Sequence, residues 1–240
     1  MMKKKLKIIL SICFLLFSCM MNAQILITLL FGEKLNTPKI EFGLQGGMTR
    51  SYINDIENSN GMNQFALGFY FHFMLKNSSF LSTGVSVKST YGATGMPTYS
   101  MNDASFDTIF QNGTLTKKIN YFYLPVMFHQ RFNNFMYIEA GPQFGLRYKA
   151  TDIFEESALN GDVTFTRNVK DEYKALDAGL VGGIGFKFKR ILKSMSLGVS
   201  YYYGLVNVSK LPDVTIKNSG VYFFVKQPIG LGGGDKKKEE

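Results

Sequence analysis

Histidine, cysteine and closely spaced carboxylates build most catalytic and metal sites, and this 240-residue sequence places few of them where chemistry could use them. Its two histidines, His72 and His129, each fall near the end of a segment that runs into a short turn. Such a lone imidazole is expected to be a hydrogen-bonding residue, because catalysis needs a positioned set of partners. Gly179, Gly182, Gly183 and Gly185 are spaced like a nucleotide loop, but no helical pattern follows them. They belong to a strand, where close packing or coiling explains them. Asp152, Glu155, Glu156 and Asp162 make an acidic cluster whose spacing matches no calcium loop. The expectation is no catalytic residue, no cofactor and no metal site, and hence no enzyme.

The cysteines leave the list for another reason. Met1 to Lys7 is a basic stretch, Ile8 to Phe17 is apolar, and Asn22-Ala23-Gln24 offers a small residue at a cleavage point, which together read as an export signal. Cleavage is expected after Ala23. A membrane anchor is the competing reading, yet Ser11, Ser18 and Asn22 interrupt a run shorter than the ~20 residues a spanning helix needs. Leu16-Phe17-Ser18-Cys19 resembles a lipoprotein box, in which Phe17 is atypically bulky. Because Cys13 and Cys19 both lie inside the signal, the mature chain is expected to hold no thiol, disulfide or cysteine-based metal site. Loss of Lys3, Lys4, Lys5 and Lys7 lowers 27 basic residues to 23 against 18 acids, so the net charge falls from +9 to +5. Much of the basicity is thus the signal's, and nucleic-acid binding loses its main support.

What remains has 22 Phe, 13 Tyr and 24 Gly with no Trp, a composition that suits strands and tight turns. Polar and apolar residues alternate over eight segments: Lys39 to Thr49, Gln64 to Leu75, Phe80 to Tyr91, Lys117 to Arg131, Phe135 to Lys149, Tyr173 to Lys187, Met195 to Val206 and Ser219 to Gln227. The second is the clearest, with Phe65, Leu67, Phe69, Phe71 and Phe73 in one column and Gln64, Gly68 and His72 in the other. Since side chains alternate faces along a strand, each segment has one apolar and one wet face. An even number of such strands predicts an all-β fold, an eight-stranded antiparallel up-and-down transmembrane β-barrel in the outer membrane. The chain divides accordingly into a cleaved signal peptide (1–23), an N-terminal lead segment (24–38) containing the unexplained apolar stretch Ile25 to Phe31, the barrel (39–227) and a Gly-rich charged tail (228–240).

The connections alternate in length. Lys76 to Ser78, Phe132 to Asn134 and Phe188 to Ser194 are short, whereas Arg50 to Asn63, Gly92 to Thr116, Ala150 to Glu172 and Asn207 to Asn218 are long. In outer-membrane barrels short turns face the periplasm and long loops face outward, so the long segments are the expected extracellular surface. A soluble lipocalin-type barrel alternates in the same way but points its apolar column inward. The polar column holds Glu41, Lys88, Glu139, Arg147, Asp177 and Lys187, which fit a wet lumen better than an apolar ligand cavity. Eight strands leave an interior that side chains fill, which argues against a diffusion pore. The histidines lie toward the periplasmic end, away from where omptin-like proteases build their sites, and a phospholipase-like Ser–His pair is not apparent.

Tyr121 to Val126 leading into a short turn, Glu139-Ala140-Gly141-Pro142-Gln143-Phe144-Gly145, and Asp177-Ala178-Gly179 with Gly182 to Gly185 resemble the outer-membrane β-barrel family of Bacteroidota, to which PorT-like proteins belong. The resemblance spans roughly Lys39 to Gln227. It implies the eight-stranded barrel, an outer-membrane home with lipid as the surrounding partner, and for PorT itself support of type IX protein secretion, hence envelope or secretion-system proteins as partners. Fold does not fix function. One departure is the end of the chain, which continues past Val221 to Val225 into glycines and Asp235 to Glu240 rather than closing on an aromatic residue. Asp107-Thr108-Ile109 is similar to the O-glycosylation motif of the same bacteria. Two functions follow: a non-catalytic barrel with a structural or protein-interaction role in the envelope, or a surface receptor or adhesin that binds an external ligand through its long loops.

Strand direction adds one more expectation. If the fifth strand rises from Phe135 and the sixth descends from Tyr173, Arg147 and Asp177 lie high while Glu139 and Lys187 lie low. Facing or diagonal neighbours on adjacent strands are within reach of long side chains. Arg147 with Asp177, and Glu139 with Lys187, are therefore expected as structural ion pairs in the lumen.

Overall fold

The structure is a computed structural model that describes residues 37–54, 59–132, 135–158, 161–188, 194–212 and 214–229. The expected export signal (1–23), Ile25 to Phe31 and the tail residues 230–240 lie outside these ranges. The described strands are β1 (Ile40–Asn54), β2 (Asn60–Lys76), β3 (Ser79–Pro97), β4 (Thr114–Phe132), β5 (Met136–Ala158), β6 (Gly161–Asn168), β7 (Leu176–Lys187), β8 (Ser196–Gly204) and β9 (Lys217–Pro228). One short helix, α1 (Ala104–Ile109), interrupts the β3–β4 connection.

Eight of the strands close a ring in the order β1-β2-β3-β4-β5-β7-β8-β9, every neighbour antiparallel. The ring shuts where β9 pairs with β1, Leu44 facing Gln227 and Arg50 facing Val221. Closure satisfies every ring strand on both sides, which an open sheet in lipid cannot do. The apolar columns face outward: on β4 and β5, Phe122, Leu124, Phe128, Ile138, Phe144 and Leu146 are all exposed, Phe128 by 55%. The polar columns face inward and are buried, as Glu41, Glu139, Asp177 and Lys226 show. That polarity is the reverse of a soluble ligand-binding barrel and places the outer surface in hydrocarbon.

Lys88 departs from the expected inner column. Leu67 faces Lys88 while Gly68 faces Ser86, so β3 carries an extra residue there. A bulge of this kind resets side-chain parity, and Lys88 is exposed with its Nζ 5.7 Å from the centre of the Phe65 ring.

The long connections also differ from simple loops. Pairing continues through Pro97 with Thr114, Thr114 with Glu155 and Glu155 with Thr164, so β3, β4, β5 and β6 rise beyond the ring as a four-stranded sheet. β6 is a ninth strand, paired to the far end of β5 and outside the ring. Its β-branched and aromatic residues, Val163, Thr164, Phe165 and Thr166, favour extended backbone. The alternation of exposure that marked the other strands is missing because both faces of β6 are exposed.

Glycines let the lumen fill with tyrosines. Tyr123 faces Gly145 across β4–β5, and a Cβ on Gly145 would sit 2.6 Å from the Tyr123 ring. Tyr137 covers Gly185 of β7 in the same way, its ring lying where that Cβ would be. A ring laid over a facing glycine protects the bare backbone and recovers packing.

Candidate functional site

Polar side chains converge in the lumen at two levels. Near the short-turn end, Glu41 of β1 accepts from Arg131 Nη2 of β4 at 3.0 Å and from Tyr70 OH at 3.0 Å, with His72 Nδ1 at 3.3 Å and Lys187 Nζ at 3.9 Å. Glu139 of β5 meets Lys226 Nζ at 2.8 Å and His129 Nδ1 at 3.1 Å. The imidazoles of His72 and His129 lie 4.4 Å apart, and Arg131 reaches both at 3.4 Å. Lys226 is further ringed by Tyr70, Tyr137 and Phe224, its Nζ 5.0–5.5 Å from the ring centres. Every charge in this layer thus has an opposite charge beside it, which is the condition for keeping ions out of water.

His72, His129 and Glu139 offer ligand atoms within 4.8 Å of one another, a donor set that could in principle hold a metal ion. Their surroundings oppose it. Glu139 already binds Lys226 through both oxygens, and the layer sets the two carboxylates Glu41 and Glu139 against Arg131, Lys187 and Lys226. A divalent cation would enter a field that is positive before it arrives. As it stands the cluster is a network of ion pairs and hydrogen bonds.

Midway up, the rings of Tyr91, Tyr123 and Tyr202 form a triangle with centres 5.3–5.5 Å apart. Asp177 accepts from Tyr123 OH at 2.5 Å and from Asn218 Nδ2 at 2.8 Å, and Asn218 also donates to Tyr121 OH. Beside the triangle is a cavity of about 30 Å³ lined by Thr49, Ser86, Ser89, Gln143, Ser200 and Tyr222 among others. Its volume is close to the share of a single water molecule in the liquid, about 30 Å³.

The expected ion pairs take other partners. Arg147, Asp177, Glu139 and Lys187 are all buried inside the barrel, but Glu139 faces Gly183, four residues from Lys187, so these two are out of register. Lys226 takes Glu139 and Lys187 approaches Glu41 instead. Gly145 faces Asp177, which leaves Arg147 one diagonal step away. Its guanidinium turns upward to the carbonyls of Lys174 and Tyr173 at 3.1 and 3.2 Å, while Asp177 is held by neutral donors. Arg131 and Lys226 are the residues that sequence reasoning missed. Both alternate correctly with their buried neighbours, yet their partners sit on non-adjacent strands across the lumen.

The long-loop end is closed by an apolar layer that includes Ile53, Met96, Phe110, Leu115, Ile119 and Phe154, against which Tyr99, Met101 and Phe106 pack. Phe154 is fully buried, with the rings of Tyr99 and Phe106 at 5.1 and 5.2 Å. A polar staple holds the layer shut: Lys117 and Tyr99 donate to Asp152 at 2.6 and 2.9 Å, Arg167 donates to Tyr99 OH at 2.7 Å and pairs with Glu172 at 2.8 Å. Burial, with the Asp152 carboxylate adding to it, pushes the Tyr99 hydroxyl up to about 12. Within α1, Asp107 accepts from Ser100 Oγ at 2.5 Å and Met101 N at 2.9 Å, which holds its carboxyl below the usual range. Thr108 Oγ1 donates to the Ala104 carbonyl.

Comparison with known proteins settles the family. The profile of the outer membrane protein beta-barrel domain matches residues 33–210, about three quarters of the chain. The chain belongs to that family. This outer-membrane barrel is also similar, at low identity, to several solved structures. Ail, the attachment invasion locus protein of Yersinia pestis, solved in complex with the heparin analogue sucrose octasulfate, is 12% identical with a TM-score of 0.41, covering 79% of this chain and 98% of its own. Neisserial surface protein A is 8% identical with a TM-score of 0.40, covering 78% and 96%. OprG of Pseudomonas aeruginosa is 12% identical with a TM-score of 0.37, covering 79% and 93%. No curated protein matches the sequence.

Proposed function

We propose that this outer-membrane barrel is a non-catalytic protein of the cell envelope that works by contact with other proteins through its long-loop end. The observation that carries this reading is the filled interior. Ion network, tyrosine triangle and apolar cap lie one above another along the lumen, and its buried charged groups are engaged with each other or, for Asp177 and Arg147, with neutral partners. Exposed at the long-loop end is the raised sheet of β3 to β6 with α1, which presents Ile109, Val163 and Phe165 to solvent. Rigid projections of this kind are where recognition is placed. By the general rule for such barrels this end faces outward and the short turns face the periplasm.

The specific form suggested by the sequence resemblance is PorT-like support of type IX protein secretion. A receptor or adhesin role through the same surface is the competing reading. Crosslinking intact cells and purifying the solubilised full-length protein separates them. Envelope proteins recovered with the wild type, and lost when Ile109, Val163 and Phe165 are changed to Ser, are the expected result. Recovery of no envelope protein, together with binding of an external ligand through the same residues, would establish the receptor instead.

A further inference from the structure

The lipid-facing surface where β4, β5 and β7 meet changes character in a fixed order. Leu124, Phe144, Leu146 and Leu176 are exposed in the apolar belt, Leu176 by 66%. Phe122 faces Leu146 at the upper edge of this belt and stacks on Tyr148, two residues further along β5 toward the long-loop end, with ring centres 4.6 Å apart. Lys118, Lys149 and Lys174 come next.

Register brings the three lysines together. Asn120 faces Lys149 and Lys118 faces Thr151, so Lys118 and Lys149 are one diagonal step apart, roughly 7–8 Å. The pairing slips between Asn120 and Tyr121, which face Lys149 and Arg147, and this bulge leaves Tyr148 and Lys149 both exposed. Arg147 N–H donates to the Ala175 carbonyl, which sets Lys174 beside Tyr148 on the β7 side. Lys149 and Lys174 are exposed and Lys118 is half-buried.

None of the three forms an ion pair among the described residues. The nearby carboxylates are committed elsewhere, Glu172 to Arg167 and Asp152 to Lys117 in the interior, and Asp171 stands exposed on the turn beyond. Like charges at diagonal spacing repel, so the cluster favours an anion. Apolar belt, stacked aromatics and cations follow the sequence of hydrocarbon, interface and headgroup across a leaflet.

We propose that Lys118, Lys149 and Lys174 form a binding site for the phosphate groups of outer-leaflet lipid, with Phe122 and Tyr148 seated at the hydrocarbon boundary beneath them. The proposal rests on the orientation given above. Lysine suits the task because phosphate is recognised well by point charges that adjust to it.

The test titrates the full-length protein in neutral detergent with bisphosphorylated lipid A and with its dephosphorylated form, bound lipid being read by native mass spectrometry. The wild type is expected to retain the phosphorylated form selectively. Lys118→Gln, Lys149→Gln and Lys174→Gln together are expected to weaken it roughly a hundredfold, about fivefold per lysine, while heat-modifiable migration shows the barrel still folded. Lys39→Gln with Lys76→Gln, at the short-turn end, is expected to leave binding unchanged. Equal retention of both lipids, an unchanged triple variant, or an equal loss in the Lys39 and Lys76 variant overturns the site. Binding in detergent does not depend on orientation, which a surface tag at residue 159 tests separately.

Discussion

At the residue scale, the lumen is governed by who balances each buried charge. Glu139 and Lys226 meet at 2.8 Å with side chains 2–3% exposed, so removing either leaves the other uncompensated. Glu139→Ala or Lys226→Ala is expected to cost about 3–5 kcal/mol, less where lumen water reaches the orphaned group. Urea unfolding of the refolded barrel in lipid vesicles measures this, and a double-mutant cycle on the two should show strong coupling. The same cycle on Arg147→Ala and Asp177→Ala is expected to show little, since their side chains bind different groups. Which residues enter the lumen was legible from alternation, because parity is a local property of the strand. Their partners were not: Glu139 and Lys226 sit on β5 and β9, and Arg131 and Glu41 on β4 and β1, so the contacts run across the barrel rather than between neighbouring strands. Lys88 escaped for a related reason, since a bulge that resets parity has no signature in a period of two.

At the element scale, the connections after β3 and β5 are built rather than loose among their described residues. The sequence showed them as polar stretches because their ordering comes from pairing beyond the ring and from the apolar layer around Phe154, neither of which follows a short period. The staple through Tyr99 joins the β3–β4 connection to β5 and β6. Tyr99→Phe removes a hydroxyl that both donates to Asp152 and accepts from Arg167, and is expected to speed protease cleavage of the 92–116 segment without unfolding the ring. Unchanged cleavage would show that apolar packing alone holds the segment. Asp107 gives the same region a pH dependence. Its folded carboxyl is held below the ordinary 3.8, so its contribution is present above that value and is lost as pH falls through the depressed one. Faster amide exchange at Met101 under acid, absent in Asp107→Asn, is the expected readout.

At the scale of the whole molecule, a closed eight-stranded ring with an outward apolar surface fixes the home of the protein, and a filled interior limits what it does there. Orientation follows from loop length and is checked on intact cells: a tag at residue 159 should be reached by antibody and one at residue 133 should not, with the reverse pattern inverting the barrel. The filled interior is the central claim, because the proposed contact role rests on it. It is tested most directly by reconstituting the purified protein in planar lipid bilayers and recording current under voltage. The ion network, tyrosine triangle and apolar cap lie in series, so no stable conductance steps are expected. Reproducible open-channel steps from folded protein would contradict the account and make the barrel a pore.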